Sequence, residues 1–335
     1  MRKKVTLIPG DGIGPEIMKS LKDIFSAAQV PIDWEEVNAG QTALDTTGEL
    51  IPKNLIDSIN TNKVALKGPI TTPIGKGFKS VNIQLRQLFD LYANVRPCKN
   101  IEGVKTRYEN VDLVLVRENT EGLYSGLEVY DERLDIADSI ARITKQGCEN
   151  IIRFAFEYAK RNNRKKVTLV HKANILKIAG STFLKAGLAV SKDYPEITME
   201  DVIIDNMCMQ LVSKPEKYDV IVTTNLFGDI LSDLCAALVG GLGVVSGVNF
   251  GREVAIFEAV HGSAPDIAGM GIANPTAILK TGIAMLEHLQ LSDHARRIDA
   301  ALEKTLAVKE NCTGDLGGSA TTEKFTNKII ENLTK

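Results

Sequence analysis

This chain of 335 residues has almost no excess charge: 40 Lys and Arg stand against 42 Asp and Glu, for a formal net charge of -2. That balance removes any overall electrostatic case for nucleic acid or an anionic membrane as partner, and no basic stripe or aromatic platform supplies one locally. Cysteine is sparse. Cys98, Cys148, Cys208, Cys235 and Cys312 are scattered, odd in number and without a C-x-x-C pair, the pattern of reduced core thiols in a reducing compartment. No apolar signal core follows Met1-Arg2-Lys3-Lys4, and no run reaches the length of a membrane span. A soluble, cytoplasmic protein is therefore expected. Repeats, low-complexity tracts and Gly/Ser-rich linkers are missing as well. At a length above that of a usual single core, the chain is expected to form two domains and to cross between them more than once.

What is present alternates. Val5 to Ile8, Val64 to Leu66, Leu113 to Val116, Val167 to Val170, Val202 to Ile204, Val220 to Val222 and Val254 to Phe257 read as strands. Between many of them lie helix-period segments, with Ile17, Leu21, Ile24, Phe25 and Ala28 on one face and Ile140, Ile143, Ile151, Phe154 and Tyr158 on another. This is α/β organisation. Gly240-Gly241-Leu242-Gly243 marks the best composition shift for a crossing or loop.

The most informative stretch is Asn225-Leu226-Phe227-Gly228-Asp229-Ile230-Leu231-Ser232-Asp233-Leu234, directly after the strand Val220 to Val222. As a helix it places Asp229 and Asp233 one turn apart on one face, with Ile230, Leu231 and Leu234 free to turn inward. Two stacked carboxylates with no His or Cys at ligand spacing favour a hard divalent cation such as Mg²⁺ or Mn²⁺. Such a pair alone is an ordinary solvated face; its place at the carboxyl end of a strand raises its weight. A second constellation runs from Thr71 through Gly75-Lys76-Gly77 to Ser80, Asn82 and Arg86, then Arg96, and Arg117 follows another strand. Each arginine alone is an ordinary surface charge. Together, beside the acidic pair, the three match three substrate carboxylates, each bound by a guanidinium fork.

The turn Pro9-Gly10-Asp11-Gly12-Ile13-Gly14-Pro15 invites a dinucleotide-binding reading that does not hold, because Pro15 stands near where the fingerprint's third glycine belongs. Pro15 suits the first turn of a following helix instead, with Glu16 near its positive end.

These motifs, with His261-Gly262-Ser263-Ala264-Pro265-Asp266-Ile267-Ala268-Gly269 and Thr313-Gly314-Asp315-Leu316-Gly317-Gly318, carry a resemblance over nearly the whole chain. The chain resembles the NAD-dependent isocitrate dehydrogenases of the β-decarboxylating dehydrogenase family. The resemblance implies an isopropylmalate/isocitrate dehydrogenase-like two-domain α/β fold, not a Rossmann fold. It implies a large domain from residues 1–97 and 240–335, a small domain from 98–239, and a clasp near 122–145 that pairs subunits. The implied partners are isocitrate and a second copy of the chain, in a homodimer or higher homo-oligomer with a shared active site. The implied metal residues are Asp205, Asp229 and Asp233, and the implied catalytic residues are Tyr124, Lys172 and Asp205. Ser80, Asn82, Arg86, Arg96 and Arg117 would bind substrate. The implied cofactor is NAD, bound by Thr72, Glu258, His261, Gly262, Asp266, Ile267 and Asn274.

Two choices inside the family rest on particular residues. Isopropylmalate dehydrogenases offer apolar contacts where this chain has Ser80 and Asn82, and an apolar substituent would leave each unpaired at a cost of ~1–3 kcal/mol. Isocitrate is therefore expected over 3-isopropylmalate, with homoisocitrate the nearest competitor at one added methylene. NADP-dependent relatives carry Lys and Tyr where this chain has Asp266 and Ile267; a carboxylate accepts from a free ribose hydroxyl and repels a 2′-phosphate. A non-catalytic regulatory subunit is the alternative of a different class. The presence of every expected catalytic side chain argues for a catalytic chain.

Overall fold

The computed structural model describes residues 2–72 and 80–333. The Gly-rich part of the expected substrate loop, 73–79, lies outside the described residues. The strands are β1 (Lys3–Ile8), β2 (Ile32–Glu36), β3 (Val64–Lys67), β4 (Ala93–Lys99), β5 (Asp112–Glu118), β6 (Gly122–Asp131), β7 (Ile136–Arg142), β8 (Lys166–His171), β9 (Thr198–Ile203), β10 (Val220–Thr223), β11 (Ser246–Phe250) and β12 (Ala255–Ala259). The helices are α1 (Gly14–Ala27), α2 (Gln41–Thr47), α3 (Lys53–Asn62), α4 (Val81–Leu88), α5 (Lys145–Arg161), α6 (Lys177–Val190), α7 (Ile204–Ser213), α8 (Asn225–Leu238), α9 (Thr276–His288), α10 (Ser292–Leu306) and α11 (Thr322–Leu333). None of the described helices is long and apolar enough to cross a membrane.

Ten strands form one sheet in the order β2-β1-β3-β12-β11-β4-β5-β10-β8-β9. Its two wings are parallel, β2-β1-β3-β12 from the two ends of the chain and β5-β10-β8-β9 from the middle. They meet through antiparallel pairs, β12 with β11, β11 with β4 and β4 with β5. A Rossmann sheet has no such antiparallel centre. Three buried clusters fill the layers: one beneath α1, α8, α9, α10 and α11, one beneath α5 and α6, and one beneath α3 and α4. β6 and β7 make a separate two-stranded sheet within the expected clasp, with Val129, Tyr130, Ile136 and Ile140 exposed.

Three local expectations are corrected. Ile140 belongs to β7 and not to the helix, because the Thr144 hydroxyl accepts from the Gly147 amide and fixes the start of α5 after it. The strand expected through Ile204 stops at Ile203, where α7 begins. On α8, Leu231 is buried as expected, but Ile230, beside Asp229 on the outward face, is half-exposed.

Pro15 does lie in the first turn of α1. The turn before it is held by Asp11, which accepts from the amides of Gln41, Thr42 and Thr71 and from the Thr42 hydroxyl at 2.7 to 3.1 Å. Gly12, at φ +61°, lets this turn touch the loop after β12: a Cβ there would meet the Ser263 carbonyl at 2.0 Å.

Candidate active site

Arg117 stands near the carboxyl end of β5 and is almost fully buried. Its aliphatic stem runs along α8 at Gly228, where a Cβ would come within 2.5 Å of the Arg117 side chain. The guanidinium donates to Asn225 Oδ1 from Nε at 3.0 Å and from Nη2 at 2.7 Å, and its Nη1 pairs with Asp229. Tyr124 of β6 donates its hydroxyl to the other Asp229 oxygen at 2.5 Å, with its ring centroid 5.1 Å from the Arg117 guanidinium carbon. Burial opposes the charged form of Asp229, but the Tyr124 hydroxyl and the Arg117 guanidinium outweigh it and hold the carboxyl below the usual aspartate range. Burial, then Asp229, raises the Tyr124 hydroxyl, which keeps its proton at neutral pH.

Arg96, central in the sheet on β4, donates from Nη1 to Ser232 Oγ at 2.8 Å and lies 3.6 Å from Asp233 Oδ1. Arg86 on α4 lies 3.6 Å from Glu258 Oε1, and Lys67 Nζ lies 2.9 Å from Glu258 Oε2. Burial disfavours an ionised Glu258, but Lys67 and Arg86 overcome that and keep its pKa low. Burial first and the Arg86 charge second depress the Arg117 guanidinium, with Arg96 adding to the effect. The three arginines therefore lie near enough for their charges to act on one another, each with an acidic neighbour: Arg86 with Glu258, Arg96 with Asp233 and Arg117 with Asp229.

The start of α4 places the polar pair. Ser80 is its N-cap residue, and the Thr72 hydroxyl accepts from the Val81 amide at 3.1 Å. Asn82 Oδ1 is buried without a hydrogen-bond partner among the described residues and lines a small void with Lys67, Arg86 and Glu258.

Lys172 and Asp205 form an ion pair of their own, Lys172 following β8 and Asp205 in the first turn of α7. β8 is two places from β5 in the sheet, roughly 10 Å at ordinary strand spacing. Asp205 is 70% exposed and bonds only to Lys172 among the described residues. No three His, Cys, Asp or Glu side chains among the described residues gather closely enough to hold a metal. One chain thus brings together Asp229, Asp233, Tyr124 and the arginines, and leaves Lys172 and Asp205 outside the group.

A cleft of about 680 Å³ opens between the loop after β12 and the C-terminal segment, lined by Ile13, His261, Gly262, Ile267, Asn274 and Asp315 among others. His261 Nδ1 lies 3.0 Å from the Gly262 carbonyl and donates to it, so Nε2 is left an acceptor, buried and without a partner among the described residues. Burial lowers the imidazole pKa and keeps the ring neutral. Asn274 donates to Asp315 at 2.8 Å and accepts from the Thr276 amide at 2.9 Å. Asp266 stands exposed in the same loop, next to Ile267 on the cleft wall. Glu258 is not on this wall; it is enclosed with Lys67 and Arg86.

Sequence reasoning assigned no role to Asp11, Lys67, Asn225, Asn249 or Asp315, all of which fix site residues. Asn225 and Asp315 at least lie inside quoted motifs. Asn249, alone between apolar neighbours, carries no local signal.

The family described as isocitrate/isopropylmalate dehydrogenase matches the chain over residues 4–332. The chain belongs to that family. Among its relatives, the isocitrate dehydrogenase [NAD] catalytic subunit 5, mitochondrial, of Arabidopsis thaliana is 51% identical, over 98% of this chain and 88% of that protein. A mitochondrial regulatory subunit of isocitrate dehydrogenase [NAD] from Dictyostelium discoideum is 52% identical, over 99% of this chain and 92% of that one. The crystal structure of isocitrate dehydrogenase from Methylococcus capsulatus superposes with a TM-score of 0.96 at 49% identity, covering 99% of this chain and 100% of that one. Similarity to both a catalytic and a regulatory protein leaves the side chains to separate those roles.

Proposed function

We propose that the chain is a catalytic NAD-dependent isocitrate dehydrogenase, which oxidatively decarboxylates isocitrate to 2-oxoglutarate and carbon dioxide. The observation that carries this is the group of Arg86, Arg96 and Arg117 around the Asp229 and Tyr124 pair, with Asn82 Oδ1 unpartnered beside Arg86. Three cations answer three carboxylates. Ser80 and Asn82 give isocitrate an advantage over 3-isopropylmalate, whose apolar substituent would leave them unpaired, while homoisocitrate, with a carboxylate of its own one methylene further out, is the nearest competitor.

The donor set of Asp229 and Asp233, oxygen-only and solvent-facing, fits a hard divalent cation, Mg²⁺ or Mn²⁺, with Asp205 as the third ligand. When bound, such a cation polarises the substrate's hydroxyl oxygen. The pair of Lys172 and Asp205 takes the hydroxyl proton, and Tyr124, protonated at neutral pH, returns one to carbon after carbon dioxide has left.

The cleft beside His261 suits NAD. Nε2 there accepts from a ring amine, the exposed Gly262 admits close approach, Asn274 is oriented by Asp315, and Asp266 with Ile267 disfavours a 2′-phosphate. Thr72, which accepts from the start of α4, serves the nicotinamide side, while Glu258, enclosed with Lys67 and Arg86, acts on the arginine site and not on the cofactor directly.

The wings of the sheet support a large domain of 1–97 with 240–335 and a small one of 98–239, closing on the substrate. The exposed apolar β6 and β7 support a clasp and a homodimer in which Lys172 and Asp205 serve the partner's site. The names of the relatives speak of subunits, so a hetero-oligomer is the competing assembly. Free cysteines throughout fit a reducing cytoplasm and equally the mitochondrial interior in which those relatives are named.

Initial rates of the purified chain with isocitrate, homoisocitrate and 3-isopropylmalate, each with NAD⁺ or NADP⁺ and with Mg²⁺ or a chelator, test the whole reading. Turnover is expected with isocitrate, NAD⁺ and Mg²⁺. Full activity in chelator overturns the metal assignment. Inactivity until a second kind of subunit is added overturns the homodimer.

A further inference from the structure

Asn249 sits in β11 at the antiparallel centre of the sheet, opposite Asn94 of β4 on one side and Ile256 of β12 on the other. Both ends of its buried carboxamide are committed. Oδ1 accepts from Asn94 Nδ2 at 2.9 Å and Asn119 Nδ2 at 3.0 Å, while Nδ2 donates to Glu258 Oε1 at 2.7 Å. Asn94 extends the line, its Oδ1 accepting from Arg96 Nε at 3.1 Å. At the other end Glu258 meets Lys67 at 2.9 Å and Arg86 at 3.6 Å.

Every donor along this line points the same way, from the Arg96 cation toward the Glu258 anion, so each bond polarises the next. Asn94, Asn249 and Glu258 are 0%, 2% and 5% exposed, which leaves little room for water to replace a missing partner. An apolar side chain at 249 would fill the same space but leave the Asn94 and Asn119 amides and a Glu258 oxygen short of a partner, so the carboxamide is there for its polar neighbours and not for packing. Among the described residues, Arg96 has a direct acidic neighbour only in Asp233, 3.6 Å away with a side chain 68% exposed. Glu258, reached through two amides, is the buried negative charge that answers it.

The geometry points to Asn249 as a positioning residue for substrate binding: its carboxamide ties Arg96 to Glu258, and through Glu258 to Arg86, setting two carboxylate-binding arginines in one frame. This rests on the proposed substrate. It adds that the frame is built by a residue outside the arginine site, in a strand far along the chain from either arginine.

The test compares Asn249→Leu and Asn249→Asp with the wild-type enzyme. Asn249→Leu removes both hydrogen-bonding functions at similar volume. It is expected to raise the KM for isocitrate about 10- to 100-fold, the loss of one or two buried charge-linked bonds, while the KM for NAD⁺ and kcat change by less than about threefold. Asn249→Asp keeps the acceptor for Asn94 and Asn119 but sets a carboxylate against Glu258. Two such groups share a proton more readily as pH falls. Its isocitrate KM, divided by that of the wild type at each pH, should therefore fall at least about threefold between pH 8 and pH 6, as a proton restores the donor. A merely structural role would move the corresponding ratio for the KM of NAD⁺ with pH as well, whereas a positioning role leaves the NAD⁺ ratio constant. If the Leu variant does not fold, the Asp ratio decides. A flat isocitrate ratio, or equal KM increases for isocitrate and NAD⁺, overturns the inference. Calorimetry of isocitrate with Mg²⁺ on the wild type separates the two levels: no binding there overturns the substrate reading and this inference with it, whereas binding equal in wild type and Asn249→Leu overturns the inference alone.

Discussion

Asp229 is held charged by two neighbours that also belong to the chemistry, and its titration should expose them. Its folded pKa lies below the usual aspartate value of about 3.9. A carboxyl shifted in that direction stabilises the fold fully above its unfolded pKa and loses that contribution as pH falls through the folded one. The melting-temperature gap between wild type and Asp229→Asn should thus be constant from pH 7 to about pH 5 and narrow below about pH 4. A gap that widens on acidification would assign the shift the wrong sign. Asp266 stands exposed in its loop, so the role proposed for it bears on specificity and not on stability. Asp266→Lys with Ile267→Tyr removes a repulsion and adds a phosphate partner. It should move the ratio of kcat/KM for NADP⁺ over NAD⁺ upward by roughly one to two orders of magnitude, the worth of ~1–3 kcal/mol. An unmoved ratio would place the ribose elsewhere.

Among the elements, the strands with continuous apolar runs were legible because burial on both faces removes polar residues from them: Val5 to Ile8 in β1 and Val220 to Val222 in β10 are fully or almost fully buried. β4 and β11 were not. They carry Asn94, Arg96 and Asn249 inside the sheet, and a buried polar network looks like a loop to any hydropathy pattern. Ile140 of β7 was drawn into a helix for the opposite reason, since it stands three residues before Ile143, a helical spacing, in a strand whose faces are both open. Leu127, Val129, Ile136 and Ile140 share one face of the β6 and β7 pair, and a lone exposed two-stranded sheet has little stability of its own. Val129→Lys with Ile140→Lys should break the clasp. Sedimentation should then report a monomer, with the circular dichroism of the ten-stranded sheet retained and turnover below a few per cent of wild type. A dimeric double variant with full activity would take the clasp out of the assembly.

At the scale of the whole molecule, the helix bearing Asp229 and Asp233 was legible with its start, because it follows the apolar run of β10, and so was Arg117 near the carboxyl end of β5; Arg96, inside β4, and Arg86, on α4, had no such position to mark them. That Lys172 and Asp205 lie apart from the Asp229 group was implied by the family resemblance, with its shared site, and not by the residues themselves, because spacing along the chain does not tell whether a side chain faces its own protomer's site or the partner's. Their exposed pair is chemically incomplete where it stands: a lysine and a carboxylate suited to proton transfer, with none of the arginines or Asp229 bonded to it. The Asp229 group is incomplete in the complementary way, with ligands and binding cations but no base beside the tyrosine. In the proposed homodimer a second copy would close both gaps at once. Lys172→Met and Asp229→Asn homodimers should then each be nearly inactive. A heterodimer of the two carries one site with both lesions and one site with neither, the intact site taking Asp229 from the lysine variant and Lys172 from the aspartate variant. Purified through two different tags, that heterodimer should recover up to about half of wild-type kcat if the sites act independently. It should also show wild-type KM values, because the single working site is unaltered. Heterodimers as inactive as their parents would put every one of these groups in a single chain's site.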